Sequence, residues 1–394
     1  MTVAWAGATR VLAVRLDALG DVVMTGPALR ALKAARPGRR LTLLTSPAGA
    51  AAARLLPGVD EVIVYEAPWV KATPARADAD ADVGMLARLA AAGFDAAAIF
   101  TVYSQSALPA ALLCFLAGVP RRLAHCRENP YHLLTEWIPD PEPAAGIRHE
   151  VRRQLDLVAA VGCGVEDERL LLDVPPAAAG RVAALLHDLS LDGAVPWVAV
   201  HPGGSAPSRR YPPEHFAEVV RGLAVAGLNI VFTGAADEAS LVAAVQRAAG
   251  VPTRSLVGRL DLAELAAALA RACVLVSNNT GPVHVAAAMG TPVVDLYAQT
   301  NPQHTPWSVA HRVLFHDVPC KYCYKSVCPE GHHDCLRRVP PDEVVRAAVE
   351  LLREPVGWVE ERSDEAHAAA GARGPRRYAP RPTLLENRPQ ETSR

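Results

Sequence analysis

The sequence predicts an α/β protein of two domains, each built on a doubly wound parallel sheet, and three observations carry that prediction. Short apolar runs alternate with Ala/Leu-rich helical stretches along the chain. Hydrophobic residues make up 51% and charged residues 21%, enough apolar content for strands covered on both faces. The chain has 394 residues, more than the roughly 250–300 that one core organises, so two domains follow. Lys and Arg total 40 against 41 Asp and Glu, a net charge of −1. That balance excludes general nucleic-acid affinity and makes any phosphate recognition local.

Taken in order, Arg10–Leu16 reads as a first parallel strand, followed by the loop Asp17-Ala18-Leu19-Gly20-Asp21 and a helix through Ala34. Gly20 lets the backbone come close to whatever binds at the carboxyl end of that strand. Asp21 points at a ligand or caps the helix. The loop does not fit G-x-G-x-x-G, which argues against a dehydrogenase. Leu41–Thr45, Glu61–Tyr65 and Ala96–Phe100 continue the strands of the first domain. The alternating run Asp78–Asp82 looks like an Asp-x-Asp metal signature, but its low complexity on a loop reads as solvated carboxylates. Leu108–Val119 is apolar yet shorter than the ~20 residues a bilayer span needs, and it contains Pro109. It leaves peripheral contact with a membrane open. Arg121–Trp137, polar and aromatic, reads as a surface loop or the lining of an acceptor pocket. The N-terminus lacks the layout of a signal peptide, so a cytoplasmic protein is expected.

Pro139–Gly146 is Pro-rich, and a helix from about His149 to Val161 follows. A linker over residues 176–193 separates an N-terminal domain, 1–175, from a C-terminal one, 194–356. Trp197–Val200 starts the second domain and runs into His201–Pro212, a Gly-rich loop in which small residues let backbone N–H groups close on an anion and arginine offers a planar fork. Asn229–Thr233 is a strand whose loop carries Glu238, placed for a ribose hydroxyl pair or for the dipole of the next helix. Val274–Tyr297 reads as strand, tight turn, short helix and second strand. Its Asn278-Asn279-Thr280-Gly281 turn precedes Pro282, which opens a helix because the first helical position needs no N–H. The resulting N-terminus is either a phosphate seat or an ordinary capped connection.

Three blocks in order, Arg15–Leu29, His201–Phe216 and Ser277–Gly290, resemble glycosyltransferase family 9, the heptosyltransferases of lipopolysaccharide inner-core assembly. The resemblance implies a GT-B architecture, two Rossmann-like domains facing a cleft, with the acceptor on the N-terminal half and a nucleotide-sugar on the other. It makes Asp21 the proposed catalytic base, with Arg15 and Gly20 on the acceptor side. It assigns donor contacts to Ser205, Arg209, Thr280, Gly281 and His284, and Glu238 and Asn279 join them as donor-side candidates by their places in the neighbouring loops. Many members carry Asp before that Thr, where this chain has Asn279. The implied reaction is inverting transfer of a heptose or related sugar from an ADP-sugar donor to a lipopolysaccharide-core-type glycolipid, without a metal or other cofactor. Transfer to a secondary metabolite or another glycan, a nucleotide-sugar epimerase, and a non-catalytic nucleotide-sugar-binding module are the alternatives.

Cys320, Cys323, Cys328 and Cys335 form C-x2-C-x4-C-x6-C with His332 and His333 inside it. In a cytoplasmic chain that spacing suggests structural zinc, a redox pair or free thiols before a disulfide framework. The tail over residues 357–394 is rich in Arg and Pro and is expected to stay disordered.

Overall fold

A computed structural model describes residues 3–71, 73–191 and 196–353. The apolar runs become strands because parallel sheets covered on both faces demand near-continuous hydrophobic sequence. In the first half these are β1 (Arg10–Arg15), β2 (Arg40–Thr45), β3 (Glu61–Val64) and β4 (Ala96–Ile99). β5 (Arg122–Cys126) and β6 (Glu136–Pro139) complete it. The second half contributes β7 (Trp197–His201), β8 (Asn229–Phe232), β9 (Arg254–Ser255), β10 (Val274–Asn278), β11 (Val293–Leu296) and β12 (His311–Leu314).

The sheets run in the orders β3-β2-β1-β4-β5-β6 and β12-β11-β10-β7-β8-β9. Every strand pairing is parallel. Counted from its own first strand, each half follows the doubly wound order 3-2-1-4-5-6, which is the Rossmann arrangement. In such sheets ligands bind at the carboxyl ends of the strands where the order reverses. Those points lie between β1 and β4 in one half and between β7 and β10 in the other.

One apolar cluster joins the halves, running from Val11, Leu41 and Ala96 through Val23 and Leu29 to Val283, Ala199 and Leu275. Two further clusters cover the outer faces, one around Leu12, Ile63 and Leu113 and one around Phe216, Phe232 and Leu351. The segment expected as linker contains the helix Pro176–Asp188, whose buried Ala178, Val182 and Leu186 face the core. Residues 192–193 of that linker and the tail 357–394 lie outside the described residues.

One expectation changes in part. Arg121–Trp137 is not wholly a surface loop: it carries β5 and the first two residues of the edge strand β6, with a largely exposed turn between them. Its buried Arg122 donates to the carbonyls of Leu133 and His132 at 2.7 and 2.9 Å, so a charged residue serves there as a backbone brace. β12 has only two apolar residues among four, too short a signal to read as a strand.

Asn278, at the end of β10, ties the second half together. Its amide nitrogen donates to the carbonyls of Pro202 and Gly203 at 2.8 and 3.0 Å, and its oxygen accepts from Tyr211 N at 2.9 Å. Asn278→Ala leaves three buried backbone groups without partners and is expected to destabilise the protein by about 3 kcal/mol, read by urea unfolding.

Candidate active site

The end of β1 delivers Arg15, which has no exposed surface, into a ring of carboxylates. Its Nε lies 2.8 Å from Asp17 Oδ2, its Nη1 2.8 Å from Glu150 Oε1 and its Nη2 3.3 Å from Asp21 Oδ1. Burial opposes the guanidinium charge, but Asp17, Glu150 and Asp21 outweigh it and hold the Arg15 pKa above its ordinary value. Burial in turn pushes the Glu150 and Asp17 carboxyls above the usual range, with Arg15 pulling both back. Asp21 is the third residue of the helix Leu19–Ala34, whose N-cap Ala18 makes no side-chain cap. Asp21 is therefore a member of the Arg15 cluster, not a helix cap. It keeps 18% of its side chain exposed, while Glu150 keeps 1%.

In the second half, the loop after β7 folds over the start of the helix Gly281–Ala288. Glu238 shapes this loop. Its Oε1 accepts from Gly204 N at 3.0 Å and its Oε2 from Ala235 N at 2.8 Å. A Cβ on Gly203 would lie 1.8 Å from Glu238 Oε1, so only glycine fits beneath that carboxylate. Gly204 packs against Thr280, the helix N-cap. The Thr280 hydroxyl donates back to the Asn278 carbonyl at 3.3 Å and leaves the helix N-terminus without a side-chain cap. Ser205 is exposed on the same loop. Arg209 Nε donates to Thr300 Oγ1 at 3.1 Å.

Asn279 departs from expectation. It is buried and its amide nitrogen donates inward, to Asp295 Oδ2 and to the His304 carbonyl, both at 2.8 Å. Its amide nitrogen braces the site from behind. Asp295 also supplies a reason for Asn: an aspartate here would set two carboxylates against each other with no N–H between them.

The two halves meet at these helix starts. A Cβ on Gly20 would lie 2.7 Å from His284 Cδ2, and one on Gly281 would lie 3.0 Å from Leu19 Cδ2. The space beside Gly20 is thus filled by His284, and the glycine permits contact between the halves. Arg15, expected on the acceptor side, has no surface to offer and acts through the carboxylates it holds. His284 is buried and its pKa falls to about 3, first through burial and then through His304, His149 and Arg209.

Sequence reading missed Glu150 and His304. Glu150 opens the helix Glu150–Ala159 and shares its polar face with Gln154, which donates to Glu150 Oε1 at 2.6 Å. That buried polar stripe, Glu150, Arg153 and Gln154, was the available signal. His304 sits in a polar loop after β11 whose Gln299, Thr300, Asn301 and Gln303 are all buried. No periodicity marks it. In the Asp-x-Asp run, Asp82 accepts from Tyr65 Oη and Arg76 Nη2, both at 2.6 Å, and so is paired. The four clustered cysteines form no disulfide among the described residues, and Cys320 Sγ lies 3.7 Å from His332 Nε2. Among the described residues no group of three or more His, Cys, Asp or Glu side chains is arranged to hold a metal ion.

Residues 87–333 match the family model described as glycosyltransferase family 9 (heptosyltransferase). The chain belongs to glycosyltransferase family 9. It is 27% identical over 253 residues to lipopolysaccharide heptosyltransferase 2 of Salmonella typhimurium, covering 62% of this chain and 72% of the relative. It is also 27% identical over 325 residues to lipopolysaccharide heptosyltransferase 1 of Pseudomonas aeruginosa, covering 81% and 87%. A family 9 glycosyltransferase from Veillonella parvula shares the fold with a TM-score of 0.72 at 21% identity, over 87% of this chain and 97% of that one. An Escherichia coli heptosyltransferase solved with ADP-2-deoxy-2-fluoro heptose shares it with a TM-score of 0.61 at 20% identity, over 86% and 99%. The fold is therefore the GT-B arrangement of this family 9 glycosyltransferase. Among its described residues no helix is long and apolar enough to cross a membrane.

Burial raises the Asp295 pKa well above its ordinary value, against the Asn279 hydrogen bond that lowers it. The folded state thus holds this proton more tightly than the unfolded chain does, and stability falls as pH rises from the ordinary carboxyl value toward the raised one. Asp295→Asn is expected to remove that part of the decline. Urea midpoints of variant and wild type measured from pH 5 to 8 should diverge in the variant's favour as pH rises.

Proposed function

We propose that this glycosyltransferase moves a heptose from ADP-heptose to a lipopolysaccharide inner-core acceptor, with inversion at the anomeric carbon and Asp21 as general base. One observation carries the reading: the partly exposed Asp21 and the uncapped N-terminus of helix Gly281–Ala288 stand on the two sides of a single seam, where Gly20 meets His284. Base and diphosphate seat thereby come from different halves of the protein. The curated relatives are lipopolysaccharide heptosyltransferases, and one structural neighbour was solved with an ADP-heptose analogue, which favours that donor and acceptor.

In this mechanism the acceptor oxygen attacks the anomeric carbon from the face opposite the diphosphate. Its proton passes to Asp21, the bond from anomeric carbon to phosphate oxygen breaks, and ADP leaves with the electron pair. Arg209, the hydroxyl of Ser205 and the backbone N–H groups at the start of helix Gly281–Ala288 meet the charge developing on the diphosphate. Thr280 sits at that helix's N-cap, and Glu238 holds the Gly203-Gly204 turn in shape by its bond to Gly204 N. Leu112, Phe115 and Leu116, exposed on the helix Leu108–Leu116, support peripheral contact with the membrane that carries such an acceptor.

Asp21→Asn is expected to slow transfer by ~10²–10⁴-fold while ADP still binds with an affinity close to wild type. Arg209→Ala is expected to weaken ADP binding instead. Mass spectrometry of a lipid A–Kdo acceptor incubated with ADP-heptose reads the first effect, and calorimetric titration with ADP reads both. Full transfer by Asp21→Asn would remove the general base from the mechanism.

A further inference from the structure

Asp21 belongs to the first half, yet one of its near neighbours comes from the second. His304 Nε2 lies 3.6 Å from Asp21 Oδ1 and 4.0 Å from Glu150 Oε2. Among the described residues neither His304 Nε2 nor Glu150 Oε2 has a hydrogen-bond partner, and both atoms are buried. The imidazole is fixed from several sides. The Asn301 amide nitrogen lies 3.0 Å from His304 Nδ1, so Nδ1 accepts and the ring proton stands on Nε2, aimed at the two carboxylates. The His304 backbone N donates to Tyr297 Oη at 3.3 Å, and its carbonyl accepts from Asn279. Burial, then Arg209, His149 and Arg15, keep the ring neutral.

We propose that His304 is a positioning residue for Asp21, its buried Nε2–H aimed between Asp21 Oδ1 at 3.6 Å and Glu150 Oε2 at 4.0 Å, so that the surroundings of the base are completed only by the second half of the protein. This rests on the reading of Asp21 as general base. Arg15 holds Asp21 from one side, and His304 limits its rotation from the other. Asn279, placed behind the site, acquires a role through the same geometry, since it anchors the carbonyl of His304. The other charged and titratable groups facing this pair are Arg15 and Asp17 at the end of β1, His149 and Glu150 at the start of helix Glu150–Ala159, His284, and Arg209 from the loop after β7. None of them is altered in the test.

The test compares His304→Ala and His304→Gln in the full chain, with ADP-heptose and a lipid A–Kdo acceptor as probes and Asp21→Asn alongside. His304→Ala is expected to lower kcat by about 10–100-fold with the KM for ADP-heptose within about twofold. His304→Gln, which restores a donor near the Nε2 position, is expected to recover most of kcat. Thermal unfolding and ADP titration establish that the variants are folded. Wild-type kcat in His304→Ala, beside an inactive Asp21→Asn, would overturn the inference and leave the base standing. Equal loss of kcat in both His304 variants would overturn it too, reducing His304 to packing. Transfer by Asp21→Asn would instead remove the base reading on which the inference depends.

Discussion

One buried guanidinium organises the first half of the site. Arg15 leaves the end of β1 with no contact to solvent, and its charge is tolerable only because three carboxylates surround it. Those carboxylates come from a loop, a helix start and a second helix 135 residues away in sequence. Satisfying one arginine thus fixes where the chain turns after β1, how the helix Leu19–Ala34 begins and where the helix Glu150–Ala159 docks. Asp21 is the one carboxylate of the helix starts that keeps appreciable exposure, so the same network that stabilises the fold presents a single oxygen-bearing group outward.

The second half solves a different problem by similar means. Its backbone must leave N–H groups available at a helix start, and the polar side chains nearby are committed elsewhere. Asn278 ties the loop after β7 to β10, Glu238 fastens the Gly203-Gly204 turn, and Asn279 turns inward to Asp295. What is left facing the seam is glycines, the Thr280 side chain, an exposed serine and the His284 ring. Close approach of the halves depends on the missing Cβ atoms at Gly20 and Gly281. A methyl at Gly20 would displace the His284 ring, and with it the contact between the two halves.

The loop Tyr297–His304 connects the two sides chemically. Thr300 accepts from Arg209, Asn301 orients His304, and His304 reaches the carboxylates around Arg15. The Cys-rich segment supports this loop from outside, because Tyr322 N and Tyr324 N donate to the carbonyls of Gln299 and Thr300 at 2.6 and 2.8 Å. Ser208 Oγ likewise donates to the Lys325 carbonyl at 2.7 Å. The segment that holds four of the cysteines is thereby a prop for the loop that carries Arg209 and for the loop that carries His304.

The order of strands and helices was legible in the sequence because parallel sheets require apolar runs, and those runs are local. β1, β2, β7, β8, β10 and β11 all follow from their own residues, as do the glycine-bearing loops after β1, β7, β8 and β10. The three blocks that carry the resemblance to glycosyltransferase family 9 are likewise contiguous, so the family and its fold were readable without coordinates. Tertiary structure alone decided what each polar residue does. Arg122 and His125 looked like surface residues until the sheet edge buried them. Asn279 looked outward until Asp295, sixteen residues away, gave its amide a partner. Glu150 carries only the faint signal of a polar helix face and His304 none, because their meaning comes from Arg15 and Asp21, which the fold brings to them across the chain. Hydrophobic periodicity is a property of neighbours in sequence, whereas a buried charge is defined by whichever partner arrives in space.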